Sequence, residues 1–138
     1  MEGVTNHQVV LLVEDSDDDA FFFERAFEMA CTGARLVRLS DGGAAVNYLE
    51  RAGSDTPHLL EHHLMFLDLK LPLFSGFDVL RWIGEQGLCI DVIVLSGSDL
   101  ESDIDLANQL GAADYLVKPV SPEQIRRLVS QVTNGSER

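Results

Sequence analysis

The chain has 138 residues, 46% of them hydrophobic, and a formal net charge of −13 from 23 acidic and 10 basic side chains. A single globular domain of this size buries enough apolar surface to fold without disulfide or metal staples, and a second domain has no room. The acid excess argues against nucleic acid or an anionic membrane as partner, because phosphates repel such a surface, and favours proteins or cations.

No apolar stretch approaches the roughly 18 residues that a membrane span requires, and the polar start, Met1 to Gln8, lacks a signal core. The expected setting is the cytoplasm. Cys31 and Cys89 form no metal-spaced pair, which fits a reducing compartment. The first element is the apolar run Val9 to Val13, which ends in Glu14 and Asp15. Such a run, short and bounded by polar residues, reads as a strand buried on both faces. Ser16 to Asp19 supply a helix start with negative charge in its first turn. Ala20, Phe23, Ala26, Phe27 and Ala30 then share one helical face, with Phe21 nearly opposite as a candidate exposed aromatic.

Ala34 to Leu39 alternates apolar residues with Arg35 and Arg38 and reads as an edge strand. Asp41 caps a helix expected through Glu50, with Ala45, Leu49 and Ala52 on its apolar side, and Gly53 to Pro57 break it. The following loop to His63 holds His58, His62 and His63. Without an acid or cysteine at ligand spacing, these are expected to face solvent. Leu64 to Leu67 is a third buried strand, which delivers Asp68 at its end before Pro72 turns the chain. Phe77, Leu80, Ile83 and Gly84 are expected on the buried side of the next helix, and Trp82 on the other. Asp91 to Leu95 is a fourth strand ending in Ser96, followed by a weak helix marked by Leu100, Ile104, Ala107 and Gly111. Ala113 to Val117 is a fifth strand ending in Lys118 and Pro119. Ser121, Pro122 and Gln124 form a capping box before Ile125, Leu128, Val129 and Val132, and a polar tail runs from Asn134 to Arg138.

Five alternations of strand and helix predict a doubly wound α/β domain with a parallel five-stranded sheet. Ligands of such sheets bind at the C-terminal ends of the strands. Four of the five strands end there in groups suited to metal or phosphate: Glu14 and Asp15, Asp68, Ser96 and Lys118. Carboxylates about 4 Å apart repel by roughly 4 kcal/mol per pair at an effective dielectric near 20, so a cation belongs among them. Oxygen ligands without His or Cys select Mg2+, with Mn2+ as the alternative. Lys118 and the Ser96 hydroxyl suit a phosphoryl group. Asp68 is the natural nucleophile for an aspartyl phosphate.

LLVEDS, LDLKLPLFSG, VLSGS and ADYLVKP, spread over nearly the whole chain, resemble the receiver domain of two-component response regulators. The resemblance implies a flavodoxin-like (βα)5 fold of strand order 2-1-3-4-5 and a single domain over 1–138, with its core at about 8–133. It implies phosphorylation of Asp68 by a sensor histidine kinase or histidine phosphotransfer protein. Asp15 would bind Mg2+ directly and Glu14 largely through water, with the Lys70 backbone carbonyl as a further ligand. Ser96 and Tyr115 resemble the switch pair, and Lys118 the phosphate-binding lysine, with a cis peptide before Pro119. Ser96 stands where Thr is commoner, which keeps the hydroxyl and loses a methyl, and Leu71 where Met is common. The loop from Gly53 to His63 is longer than is usual.

The EDSDDDA start and the lack of a visible output domain resemble free-standing receivers that serve bacterial photoreceptor kinases. Such a protein is a switch rather than a turnover enzyme and acts through contacts, including any downstream target, as a monomer or homodimer. Receivers present their first helix to the kinase, which gives Phe21 a docking role. Lys70 and Ser98, two residues past Asp68 and Ser96, occupy positions where receivers tune hydrolysis, and Lys70 is expected to slow attack by water. The rivals are a haloacid-dehalogenase-like phosphatase, disfavoured because Lys70 stands where the second Asp would be, and a receiver-like module that binds proteins without phosphorylation.

Overall fold

The structure, a computed structural model, describes residues 7–55, 57–97 and 100–131, and their side chains apart from those of 54, 55 and 57–59. The elements are β1 (Val9–Val13), α1 (Asp17–Ala30), β2 (Arg35–Leu39), α2 (Gly42–Asp55), a 3-10 helix (Pro57–His62), β3 (His63–Asp68), α3 (Gly76–Gln86), β4 (Asp91–Ser96), α4 (Glu101–Gln109), β5 (Asp114–Val117) and α5 (Pro122–Val129). All strand pairs are parallel, in the order β2-β1-β3-β4-β5. This is the expected doubly wound architecture, with β2 at one edge.

Successive strand residues point to opposite faces, and the apolar runs therefore serve two cores. Leu11, Val13, Met65, Leu67, Val92 and Val94 face α2 and α3. Val10, Leu12, Leu64, Phe66, Ile93 and Leu95 face α1 and α5. On α1 the buried stripe is Ala20, Phe23, Ala26 and Ala30, while Phe21 is 51% exposed, as its helical position implies. Ser16 caps α1, and Ser121 with Gln124 forms the reciprocal box that starts α5. Arg126 ties the two helices together by donating from Nε to the Ala30 carbonyl at 3.0 Å. Val132 and the 134–138 tail lie outside the described residues.

Several local expectations need correction. α2 does not stop at Glu50 but runs to Asp55, through Gly53. A glycine costs a helix about 1 kcal/mol, and the packing of Leu49 and Ala52 on the core opposes that loss. The segment before β3 is a 3-10 helix rather than an open loop. His63 is the first residue of β3 and only 1% exposed, its Nε2 lying 2.9 Å from the Tyr48 hydroxyl on α2, and His62 is half-buried. The expectation that both face solvent is therefore wrong, while the side chain of His58 lies outside the described residues. On α3 the buried residues are Gly76, Val79, Leu80 and Ile83; Gly84 is exposed. Trp82 is half-buried against the core that includes Leu49 and Ile83 rather than on an opposite, free side.

His7, read only as part of a polar terminus, is 3% exposed. Its ring nitrogens lie 3.0 Å from an Asp91 carboxylate oxygen and 3.2 Å from the Val129 carbonyl, which closes the N-terminal edge of the sheet. The helix expected to be weak, α4, starts without a side-chain cap, and Ala107 is its one buried residue. Leu100 is 58% exposed.

The turn after β3 brings the start of α3 against the end of the strand. Ser75 and Asp78 cap α3 reciprocally, and the Gly76 amide donates to the Leu69 carbonyl at 3.0 Å. A Cβ at Gly76 would lie 2.7 Å from the Leu69 Cα and closer still to the Asp68 carbonyl oxygen. Both are backbone atoms that cannot turn aside, so only glycine fits here. Gly76→Ala is expected to lower stability by about 2 kcal/mol, in the range of overpacked cores, as read from the urea midpoint; an unchanged midpoint contradicts the close approach.

Candidate functional site

β1 and β3 are neighbours in register, Val13 beside Leu67, so the acids that follow them converge. Glu14, Asp15 and Asp68 each offer a carboxylate oxygen, and these oxygens all lie within 4.8 Å of one another. Glu14 and Asp68 are 2% and 5% exposed, and Asp15 is exposed. From the end of β5, Lys118 places its Nζ 2.8 Å from Glu14 Oε1, 2.9 Å from Asp19 Oδ2 and 3.3 Å from Asp68 Oδ2. Backbone amides bond the second oxygens of Asp68 and Glu14: Lys70 donates to Asp68 Oδ1 and Ser16 to Glu14 Oε2, both at 3.2 Å.

Ser96 ends β4, opposite Val117, and is 2% exposed. Its carbonyl accepts the Lys118 amide at 2.8 Å, and the Leu95 carbonyl accepts the Leu69 amide at 3.2 Å. The phosphate-binding candidates are thus stitched to one another through the backbone. Tyr115 pairs with Val94 and packs, half-buried, on the core facing α2 and α3. Lys70 is exposed, and the Lys118–Pro119 peptide is cis. Every residue picked from the strand ends lies at this one edge. The side chain of His58 and Ser98 fall outside the described residues, and His63 belongs to the opposite end of β3.

Burial holds the Glu14 carboxyl above its ordinary range; the hydrogen bond from Lys118 opposes this, and the charge of Asp68 adds to it. Burial also works against the Lys118 ammonium, but hydrogen bonds to Glu14 and Asp19 and the charges of Asp68 and Glu14 outweigh it, so the amine stays above its ordinary range. The signs follow by linkage. The Lys118 contribution to stability is fully present below the ordinary lysine value of 10.5 and is lost as pH rises through the raised one. Glu14 binds its proton more tightly in the folded state, so stability falls as pH rises from 4.5 through its raised value. The ionised form of Glu14 is therefore not fully compensated in this fold. A divalent cation would relieve that deficit, and three hard oxygen donors without nitrogen or sulfur fit Mg2+ or Mn2+.

Two residues of the site were not singled out from sequence. Asp19 was read as first-turn helix charge, yet it is the third helical residue, where a side chain reaches back toward the cap and hence toward the strand end. Arg38, read as the polar half of an edge strand, donates from Nε and Nη2 to the Glu14 carbonyl at 3.1 and 2.9 Å, and from Nη1 to Asp17 at 2.9 Å. It fixes the turn that carries Glu14 and Asp15. Beside Lys118 opens a cavity of about 310 Å³ whose lining includes Asp19, Phe22, Phe23 and Pro119. Phe22, 63% exposed, is a second outward aromatic next to Phe21.

Comparison with known proteins agrees with this geometry. "Probable methanogenesis regulatory protein FilR2" of Methanothrix harundinacea is 36% identical over 129 residues, covering 90% of this chain and 80% of that protein. The alkaline phosphatase synthesis regulator PhoP of Bacillus subtilis is 29% identical over 93% of this chain, and RegX3 of Mycobacterium tuberculosis 33% identical over 93%. The chain spans 49% and 52% of these two. Among solved structures, the bacteriophytochrome response regulator AtBRR superposes with a TM-score of 0.72 at 32% identity, over 88% of this chain and 89% of that one. The Mn2+-bound form of response regulator Rcp1 does so with a TM-score of 0.67 at 31% identity, over 89% of each chain. The response regulator receiver domain matches residues 10–130, and the chain belongs to that family, the signalling switch of two-component systems.

Proposed function

We propose that the chain is a single receiver domain that takes a phosphoryl group onto Asp68 from a phosphohistidine, on a sensor histidine kinase or a histidine phosphotransfer protein, in the cytoplasm. The observation that carries this is the placement of a nearly buried Asp68 carboxylate 3.3 Å from the Lys118 ammonium and within 4.8 Å of the Glu14 and Asp15 oxygens. In the transfer, an Asp68 oxygen forms the new bond to phosphorus as the bond from histidine nitrogen breaks, and the imidazole keeps the electron pair. Lys118 bonds a phosphoryl oxygen, and the Ser96 hydroxyl donates to another. Glu14, Asp15, Asp68 and the Lys70 carbonyl would hold Mg2+, which would supply positive charge against the incoming group. Ser96 and Tyr115 then report the modified state by moving together, and Lys70 shields the acyl phosphate from water.

The output is a changed surface read by a partner protein, as in a stand-alone receiver. The likeness to AtBRR supports a photoreceptor kinase of the bacteriophytochrome type as phosphodonor. Among the described residues no helix is long and apolar enough to cross a membrane. The exposed pair Phe21 and Phe22, the latter beside the Lys118 cavity, supplies apolar anchors for the donor protein.

Acetyl phosphate with Mg2+ is expected to add one phosphoryl group to the parent and none to Asp68→Asn, as read by intact mass; a parent that gains nothing points instead to phosphorylation-independent binding. Phe21→Ala with Phe22→Ala is expected to slow transfer from a phosphorylated kinase about tenfold, the scale of losing an interface anchor, while labelling by acetyl phosphate stays at the parent rate; equal slowing in both assays would remove the docking role. Lys70→Ala is expected to shorten the half-life of the phosphorylated protein, and an unchanged half-life discards the shielding role.

A further inference from the structure

The Lys118 ammonium has three N–H donors and three carboxylates around it. Glu14 and Asp68 belong to the group whose oxygens could share a cation, but Asp19 does not. Asp19 reaches the ammonium from the first turn of α1, and its position is fixed on both sides. Its own amide donates to the Ser16 cap at 3.2 Å, and the next residue, Ala20, is 1% exposed against the core. The three distances are unequal: 2.8 Å to Glu14, 2.9 Å to Asp19 and 3.3 Å to Asp68. The ammonium is therefore in contact with all three, but closer to Glu14 and Asp19 than to Asp68, the residue it serves under the phosphoacceptor reading.

We infer that Asp19 is a positioning residue that tethers Lys118 away from Asp68 and so limits how tightly a phosphoryl group on Asp68 is held. The inference rests on the phosphoacceptor reading proposed above. To bond a phosphoryl oxygen, Nζ must shift toward Asp68, and that shift lengthens the Asp19 contact. Once Glu14 is drawn to a cation, Asp19 is the tether that remains. The Asp19 carboxylate also repels a dianion arriving beside Lys118, so contact and charge act in the same direction. With its side chain 44% exposed, Asp19 makes a partly solvated pair, whose loss corresponds to a change of about two- to fivefold.

Beryllofluoride, which mimics the phosphoryl group, is titrated in the presence of Mg2+ and its binding followed by fluorine NMR. Asp19→Asn is expected to bind it about threefold more tightly than the parent, within the range of such a pair. Asp19→Glu, which restores a carboxylate to the tether, is expected to match the parent. So is Asp18→Asn, which removes the same charge from an exposed neighbour in the same turn. Unchanged or weaker binding by Asp19→Asn, an equal gain in Asp18→Asn, or an Asp19→Glu that behaves like Asp19→Asn each overturns the tether while the parent still binds. A parent that takes up no beryllofluoride overturns the phosphoacceptor reading, and the tether with it.

Discussion

One lysine against four carboxylates is the constraint on which this structure turns. Glu14 follows β1, Asp68 ends β3, Asp19 lies in α1 and Lys118 follows β5. The Lys118 ammonium is shared by Glu14, Asp19 and Asp68, and Asp15 stands beside the first and last of these. Like charges at such spacing in a partly buried place oppose folding. Burial first, and the charge of Asp68 after it, raise the affinity of Glu14 for its proton. A polypeptide selected for stability alone would not gather these groups; a receptor for a cation and a phosphoryl group must.

The rest of the molecule holds them in place. β1, β3 and β4 are buried on both faces, so their ends cannot drift without exposing two cores. Backbone bonds from Leu69 to Leu95 and from Lys118 to Ser96 lock neighbouring strand ends together. Gly76 lets α3 close directly behind Asp68, and Arg38 grips the Glu14 carbonyl from the edge strand. α4, by contrast, has no side-chain cap and buries only Ala107, so it is the element least restrained beside the Ser96 end of the sheet.

Much of this was legible in the sequence because the signals are local. Apolar runs that stop at an acid, a serine or a lysine mark both strand and site, since buried parallel strands and their functional ends are adjacent in the chain. Ser121 with Gln124 announces a helix start by its own hydrogen-bond chemistry, and the helical position of Phe21 fixes its outward direction. What stayed hidden depends on partners distant in sequence. His63 looks like loop histidine until Tyr48 is packed over it. Gly53 looks like a breaker until the neighbouring side chains of α2 are seen on the core. Trp82 looks exposed until that core is built beside it. Asp19 and Arg38 look like ordinary surface charge because nothing nearby in the chain reveals Lys118 or the Glu14 carbonyl.

On the proposed reading, Glu14, Asp15 and Asp68 gather beside Lys118 around the place of a divalent cation. The most direct measurement is anomalous scattering from crystals grown with Mn2+. The expected result is a single strong peak bonded to oxygens of Asp15 and Asp68, at about 2.1 Å as for a small octahedral cation. A map with no peak between these carboxylates, or with Mn2+ bound only elsewhere, would contradict it.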